Sequence, residues 1–184
     1  MTLTKPIFRK KCLDMMKRSS LFNKRYKNHL VNNKLELLLK KIKNKNILLY
    51  FPLENEVNIK RIIVKLRKKN NILLPFMQNK SFKVVPFRLP LQKKKFNIYE
   101  AGDSFKKINN IDIAIVPVVG VDGNLQRIGF GAGMYDRFFA KLKKKPYTLF
   151  IQNDLCYTRG YICDDFDVKA DIYLTPKTQQ YQAV

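Results

Sequence analysis

Arg127-Ile-Gly-Phe-Gly-Ala-Gly-Met-Tyr-Asp-Arg137 decides how the rest of the chain is read. Glycines alternate at 129, 131 and 133, and a helix-compatible run from Met134 to Leu142 follows at once. Glycine permits close backbone approach to a ligand and positive φ. A glycine loop that opens a helix leaves unpaired N–H groups at the positive end of the helix dipole, which favours phosphate. Arg127 and Arg137 bracket the loop with permanent guanidinium groups suited to phosphate oxygens. Asp136 is a carboxylate placed where anions should bind, and a divalent cation between it and the phosphates reconciles the two. A tight turn is the competing reading of the glycines alone.

The spacing excludes two common phosphate loops. Met-Tyr follows Gly133 where a Walker loop needs Lys-Ser/Thr. The triplet also lies late in the chain, whereas a Rossmann dinucleotide fingerprint follows the first strand.

Outward from this stretch the chain alternates strands and helices. Lys5–Lys17 and Leu21–Ile42 read as amphipathic helices, the latter with Leu30, Leu35, Leu38, Leu39 and Ile42 on one face. Residues 46–51 form a short apolar strand ended by Pro52. Asn58–Lys69 is a helix with apolar Ile59, Ile62, Ile63 and Leu66. Ile72–Phe76, Phe82–Phe87 and Ile111–Pro117 are strands, Val121–Leu125 is an Asp-Gly turn, and Tyr147–Gln152 and Asp171–Leu174 are the last strands. This order predicts a Rossmann-like three-layer α/β architecture: a mainly parallel sheet flanked by helices on both faces, in a single domain spanning 1–184.

Composition sets further expectations. The hydrophobic share of 46% argues against disorder, and no apolar run has the length of a membrane span. The amino terminus lacks the apolar core of a secretory signal. Cys12, Cys156 and Cys163 are odd in number and unclustered, which predicts reduced thiols in packing roles and a cytoplasmic location. The net charge of +23 is the main clue to a different function, since such a balance favours nucleic acid. Yet the lysine runs at 40–43, 65–69 and 141–145 fall at helix carboxy ends, where cations complement the dipole. The aromatics form no RNP-like motif. His29 has no evident acidic or metal partner on its lysine-rich helix.

The glycine segment, with Ile115-Val-Pro-Val-Val-Gly-Val-Asp122 before it, resembles the signature of the 5-formyltetrahydrofolate cyclo-ligase family. That family carries Arg-Leu-Gly-Tyr-Gly-Gly-Gly-Tyr-Tyr-Asp-Arg after a Pro-containing strand and an Asp/Gly turn. Lys5–Arg9, Tyr50-Phe-Pro-Leu-Glu-Asn-Glu-Val57, Leu74-Pro75, Asp167–Asp171 and Thr175-Pro176 resemble its other landmarks in order and spacing. Ala132 replaces the middle glycine, Met134 replaces the first tyrosine, and Ala101 follows Glu100 where the family usually has proline.

The resemblance implies an α/β enzyme that uses ATP and Mg2+ to cyclise 5-formyltetrahydrofolate, with or without a polyglutamate tail, to 5,10-methenyltetrahydrofolate. It implies nucleotide binding by Lys5, Arg9 and Arg127 and by the segment Ile128, Gly129, Phe130, Gly131, Ala132, Gly133, Met134 and Tyr135. Arg127 and Tyr135 would be catalytic. Phe51, Glu56 and residues Phe130–Met134 would bind the folate, with Glu56 orienting the pterin. Asp136 and Asp167 would bind Mg2+. Apart from the resemblance, Arg137 lies inside the expected helix and could make a structural ion pair instead of contacting phosphate. Two other functions stay open at this point: another ATP-dependent ligase on the same scaffold, and a basic nucleic-acid-binding module. A monomer with no membrane partner is expected.

Overall fold

The computed structural model describes residues 3–19, 23–93, 99–104, 108 and 110–181. In chain order the elements are α1 (Lys5–Ser19), α2 (Lys24–Leu39), β1 (Asn46–Leu48), α3 (Lys60–Leu66), β2 (Asn71–Gln78) and β3 (Ser81–Pro86). They continue with β4 (Gln92–Lys93), β5 (Tyr99–Glu100), β6 (Ile113–Pro117), β7 (Gly120–Val121) and β8 (Arg127–Ile128). The last are α4 (Met134–Phe139), β9 (Tyr147–Ile151), β10 (Ile172–Leu174) and β11 (Gln179–Tyr181). The first residues of the expected helix from Leu21 lie outside the described residues.

Seven strands form one sheet in the order β11-β10-β9-β6-β1-β2-β3. The five central strands are parallel, and β3 and β11 close the edges antiparallel. Side chains alternate strictly between two cores, as strands buried on both faces require. Ile47, Ile72, Leu74, Ile113, Ile115, Leu149, Ile151, Ile172 and Leu174 meet α2 and α3 on one face. Leu48, Leu73, Ala114, Val116, Phe150 and Tyr173 meet Phe138 and Phe139 of α4 on the other.

The expected α/β architecture is present, with several elements shorter than expected and α1 and β2 longer. The strand expected at 46–51 keeps ladder geometry only to Leu48, because the chain leaves the sheet for the segment before Pro52. The helix expected at 134–142 ends at Phe139, where Ala140 and Lys141 close a final tight turn. Five short strands have no counterpart in the sequence reading. The antiparallel pairs β4–β5 and β7–β8, and the edge strand β11, have two or three residues each, too few for a periodic signal.

The expectation of reduced thiols is overturned. Cys12 and Cys156 form a disulfide, 144 residues apart in sequence. Phe8, Cys12 and Met16 of α1 pack into a third core with Val119, Ile128 and Cys156, so the fold itself brings the two thiols together. Cys163 is the free cysteine, partly buried.

Candidate active site

Strand order turns about β1. The chain passes from β1 through α3 to β2 on one side, and β6 takes the other. In open α/β sheets the crevice at the carboxyl ends of such strands is where ligands bind. Here the segment 49–59 leaves β1 at that crevice. The β7–β8 hairpin and the glycine loop follow β6.

The hairpin is held by Asp122, which is fully buried. One carboxylate oxygen accepts the N–H groups of Asn124 (2.9 Å) and Gln126 (3.0 Å), and the other those of Ile162 (3.2 Å) and Cys163 (3.1 Å). Four N–H donors satisfy the buried carboxylate and tie the hairpin to the loop that carries the carboxy-terminal acids. They also offset the cost of Leu125, a bulky residue held at φ 55°.

From this frame Arg127 projects inward and is 5% exposed. Its Nε and Nη2 both donate to the Pro117 carbonyl at the end of β6, each at 3.2 Å. Its guanidinium lies 4.7 Å from the Tyr135 ring centroid and 3.9 Å from Asp136 Oδ2. Burial pushes its pKa down, opposed by Asp136 above all. Arg9 reaches from α1 to donate to the Gly129 carbonyl at 2.9 Å.

Gly131 and Gly133 take φ of 107° and 59°, while Ala132 between them stays out of the left-handed region. Alanine therefore substitutes for the family's middle glycine without backbone strain at that position. At Gly129 the constraint is space, because an added Cβ would lie 2.2 Å from Arg127 Nη1.

The acids belong to the same place. A cavity of about 360 Å³ is lined by Lys5, Arg9, Arg127, Gly129, Gly131, Gly133, Asp136 and Asp167, together with Arg137, Ala140, Asp164 and Phe166. Asp136 Oδ1 accepts the Val168 N–H at 3.2 Å, which joins α4 to the residue after Asp167. Asp167 is 7% exposed, so it is no solvated loop residue. Its Oδ2 accepts the Asp164 N–H at 2.7 Å and a short bond from Lys5 Nζ, and Lys5 also pairs with Asp164 at 3.1 Å. Burial works to lower the Lys5 pKa, but the bonds to Asp167 and Asp164 outweigh it and hold the ammonium above its ordinary range.

Not all of the expected nucleotide residues face this cavity. The Ile128 side chain is fully buried in the core beneath α1, and only its backbone is near the loop. Met134 and Tyr135 pack on the core with Phe82, whose ring centroid is 5.0 Å from that of Tyr135. Phe130 is 48% exposed at the loop's outer edge. Arg137, expected in an ion pair, instead donates to two backbone carbonyls, Lys80 (2.7 Å from Nε) and Ala132, and so bolts the loop to the β2–β3 turn. No carboxylate pairs with it among the described residues.

Glu56 and Phe51 stand on the β1 side, outside that cavity's lining. Glu56 is buried, and its carboxylate accepts one N–H, from Leu53 at 2.8 Å. Burial raises its pKa to about 7, against the lowering effects of that bond and of Arg127. Burial, then the charge of Glu56, pushes the Tyr135 hydroxyl well above its usual range. Tyr50 donates to the Val57 carbonyl at 2.7 Å and stiffens the segment. The Phe51 ring lies 5.3 Å from that of Tyr99, with Lys60 Nζ 4.8 Å above it.

Sequence reasoning missed Asp164 and Phe166 in the cavity, and Asp122 as its scaffold. The acidic cluster at 164–171 was the available signal for the first. Nothing local distinguishes Asp122 from an ordinary turn residue, because two of its four partners, Ile162 and Cys163, lie 40 and 41 residues on. Among the described residues no three His, Cys, Asp or Glu side chains are grouped to hold a metal by themselves. Among the described residues no helix is long and apolar enough to cross a membrane.

The sequence profile of the 5-formyltetrahydrofolate cyclo-ligase family matches residues 2–176. A 5-formyltetrahydrofolate cyclo-ligase of Mycoplasma genitalium is 29% identical over 88% of this chain and 93% of its own length. One of Haemophilus influenzae is 29% identical over 60% of this chain and 64% of its own length. The fold is shared with the 5,10-methenyltetrahydrofolate synthetase of Aquifex aeolicus, at a TM-score of 0.81 and 24% identity over 98% of this chain and 93% of that one. With the profile spanning almost every residue from α1 to β10, the chain belongs to the 5-formyltetrahydrofolate cyclo-ligase family.

Proposed function

We propose that the chain cyclises 5-formyltetrahydrofolate to 5,10-methenyltetrahydrofolate with ATP, releasing ADP and phosphate. The formyl oxygen takes the γ-phosphoryl group and ADP leaves. Nitrogen 10 then adds to the activated carbon, and phosphate departs with the former formyl oxygen. Turning a formamide oxygen into phosphate makes its expulsion feasible. One observation carries the reading: a single cavity at the sheet's crevice combines Lys5, Arg9 and Arg127 with a glycine loop and two carboxylates.

Phosphoryl transfer needs positioning and charge neutralisation more than a nucleophile. Lys5 and Arg9 would hold the phosphates, with the N–H groups of the segment Gly129–Tyr135. Arg127 is pinned by Pro117 before any ligand arrives, so its guanidinium would offset charge on the transferred group without reorganising. Tyr135, stacked on Arg127, would border both substrates. Glu56 would accept paired N–H groups from the pterin edge, and Phe51 and the Phe130–Met134 segment would line the folate side.

The donor set fits Mg2+. This ion is bound through one or two carboxylates plus substrate phosphates and does not require an all-protein cage. Asp136 and Asp167 would hold it, with Asp167 Oδ1 left clear of the Lys5 contact. Bound there, the ion supplies charge neutralisation between the phosphates and Asp136.

The test is incubation with 5-formyltetrahydrofolate and MgATP, following methenyl product by absorbance and ADP in parallel. Stoichiometric product and ADP are expected, with activity lost in excess chelator and strongly reduced in a folded Asp136→Asn protein. ADP formation without methenyl product would replace the reading with that of another ATP-dependent ligase. Neither product would remove it.

A further inference from the structure

We infer that Tyr99 and Lys60, joined through Phe51, form a subsite for the benzoyl-glutamate half of the substrate. The inference rests on the cyclo-ligase reading for its ligand. It assigns two residues that lie outside every motif carrying the family resemblance.

A folate leaves its pterin site as a benzoyl ring followed by a glutamate with two carboxylates. Its receptor needs a flat apolar surface and then a cation. Close to Glu56 in the sequence, the chain offers both side by side. Phe51 lies five residues before Glu56, where the chain has just left β1 at the crevice. Its ring contacts Tyr99 at 5.3 Å between centroids, tilted by 50°. Lys60, the first residue of α3, sets its ammonium 4.8 Å from the Phe51 centroid.

Tyr99 is not a loose loop residue. The next residue, Glu100, is buried, and its Oε1 accepts the Met77 N–H at 3.2 Å near the end of β2. This contact fixes β5 near the carboxyl end of β2. Tyr99 keeps 38% of its surface exposed, so packing on Phe51 leaves ring surface open. Some lysines are engaged by acids: Lys65 with Glu36, Lys83 with Asp103 and Lys27 with Asp154. Lys60 has no carboxylate within salt-bridge distance among the described residues. A cation held over an aromatic ring and left without an anion suits a carboxylate that arrives with a ligand.

The experiment uses p-aminobenzoyl-L-glutamate as the probe, titrated into the full chain without nucleotide and followed by NMR. Tyr99→Ala should weaken binding about tenfold, and Tyr99→Phe should restore it, since the ring face and not the hydroxyl is used. Lys60→Ala should weaken it about fivefold at low salt, with the difference fading as salt rises, and should leave p-aminobenzoate binding unchanged. In turnover both variants should raise KM for 5-formyltetrahydrofolate while kcat and KM for ATP hold. The subsite is overturned if the wild type does not bind the probe, if both variants bind it as the wild type does, or if they lose kcat with KM unchanged. Residue-dependent probe binding in a wild type that makes no methenyl product would keep the subsite and remove the ligase reading. Normal turnover with variants identical to wild type would keep the ligase reading and remove the subsite.

Discussion

The two walls of the crevice treat charge in opposite ways. On the glycine-loop wall every acid already has a basic or N–H partner: Asp167 with Lys5, Asp136 with the Val168 N–H and Arg127, Asp164 with Lys5. On the β1 wall Glu56 is buried with one N–H donor, and its pKa climbs to about 7. A wall of mutually neutralised charges could exchange partners with the phosphate and metal proposed above. A lone buried carboxylate titrates in the physiological range and waits for donors that a ligand would bring. One wall is prepared electrostatically, and the other is prepared by desolvation.

The largest expected break is at Arg127. Removing a pre-fixed guanidinium costs about a hundredfold to a thousandfold in turnover where it stabilises transition-state charge. Arg127→Ala should show that loss, and Arg127→Lys should not restore it, because an ammonium cannot repeat the two-pronged bond to Pro117. Steady-state kinetics on protein checked by circular dichroism decides it. A folded Arg127→Ala protein with normal turnover and ATP affinity would end the picture of a prepared phosphate wall.

Stability tests sharpen the comparison next. Cys12 ties α1, which carries Lys5 and Arg9, to the loop after β9. Removing both sulfurs with Cys12→Ser and Cys156→Ser should cost about 2–4 kcal/mol in denaturant unfolding. Apparent ATP affinity should fall with it, while the response to folate is unchanged.

Glu56 carries an effect of comparable size that depends on pH. Its folded pKa of about 7 lies above its ordinary value of 4.5, so the folded chain binds the extra proton. The resulting stability is fully present below about 4.5 and is lost as pH rises through about 7, to a total of about 3 kcal/mol. Glu56→Gln should flatten unfolding free energy across that window, measured by urea titration at several pH values. An unchanged pH slope in the variant would mean that Glu56 is not the lone charge described here.

The smallest effect belongs to Arg137. It bonds carbonyls at the exposed edge of the loop, so Arg137→Ala should cost about 1 kcal/mol of stability. Turnover should fall far less than for Arg127→Ala. A loss equal to that of Arg127→Ala would give Arg137 a share in the proposed phosphate contacts after all.

The glycine wall was legible because its parts are contiguous. Arg127 to Asp136 spans a single loop and helix start, and local spacing alone suggested phosphate and a cation. Arg9, Asp167 and Glu56 were legible only through resemblance, since each local pattern fits a solvated helix or loop equally well. Arg137 was read as an ion-pair former, yet its partners are backbone oxygens that no sequence pattern exposes.

Periodicity and composition by themselves determined the α/β class, the central strands and the two-sided burial. Side-chain alternation and helical spacing are local properties that survive without tertiary context. Only the tertiary structure decided the crevice at β1 and β6, the Cys12–Cys156 link, the four-bonded Asp122 and the lone burial of Glu56. Each of these depends on which distant groups share one low-dielectric space. That is set by the packing of whole elements, and residue spacing along the chain carries no record of it.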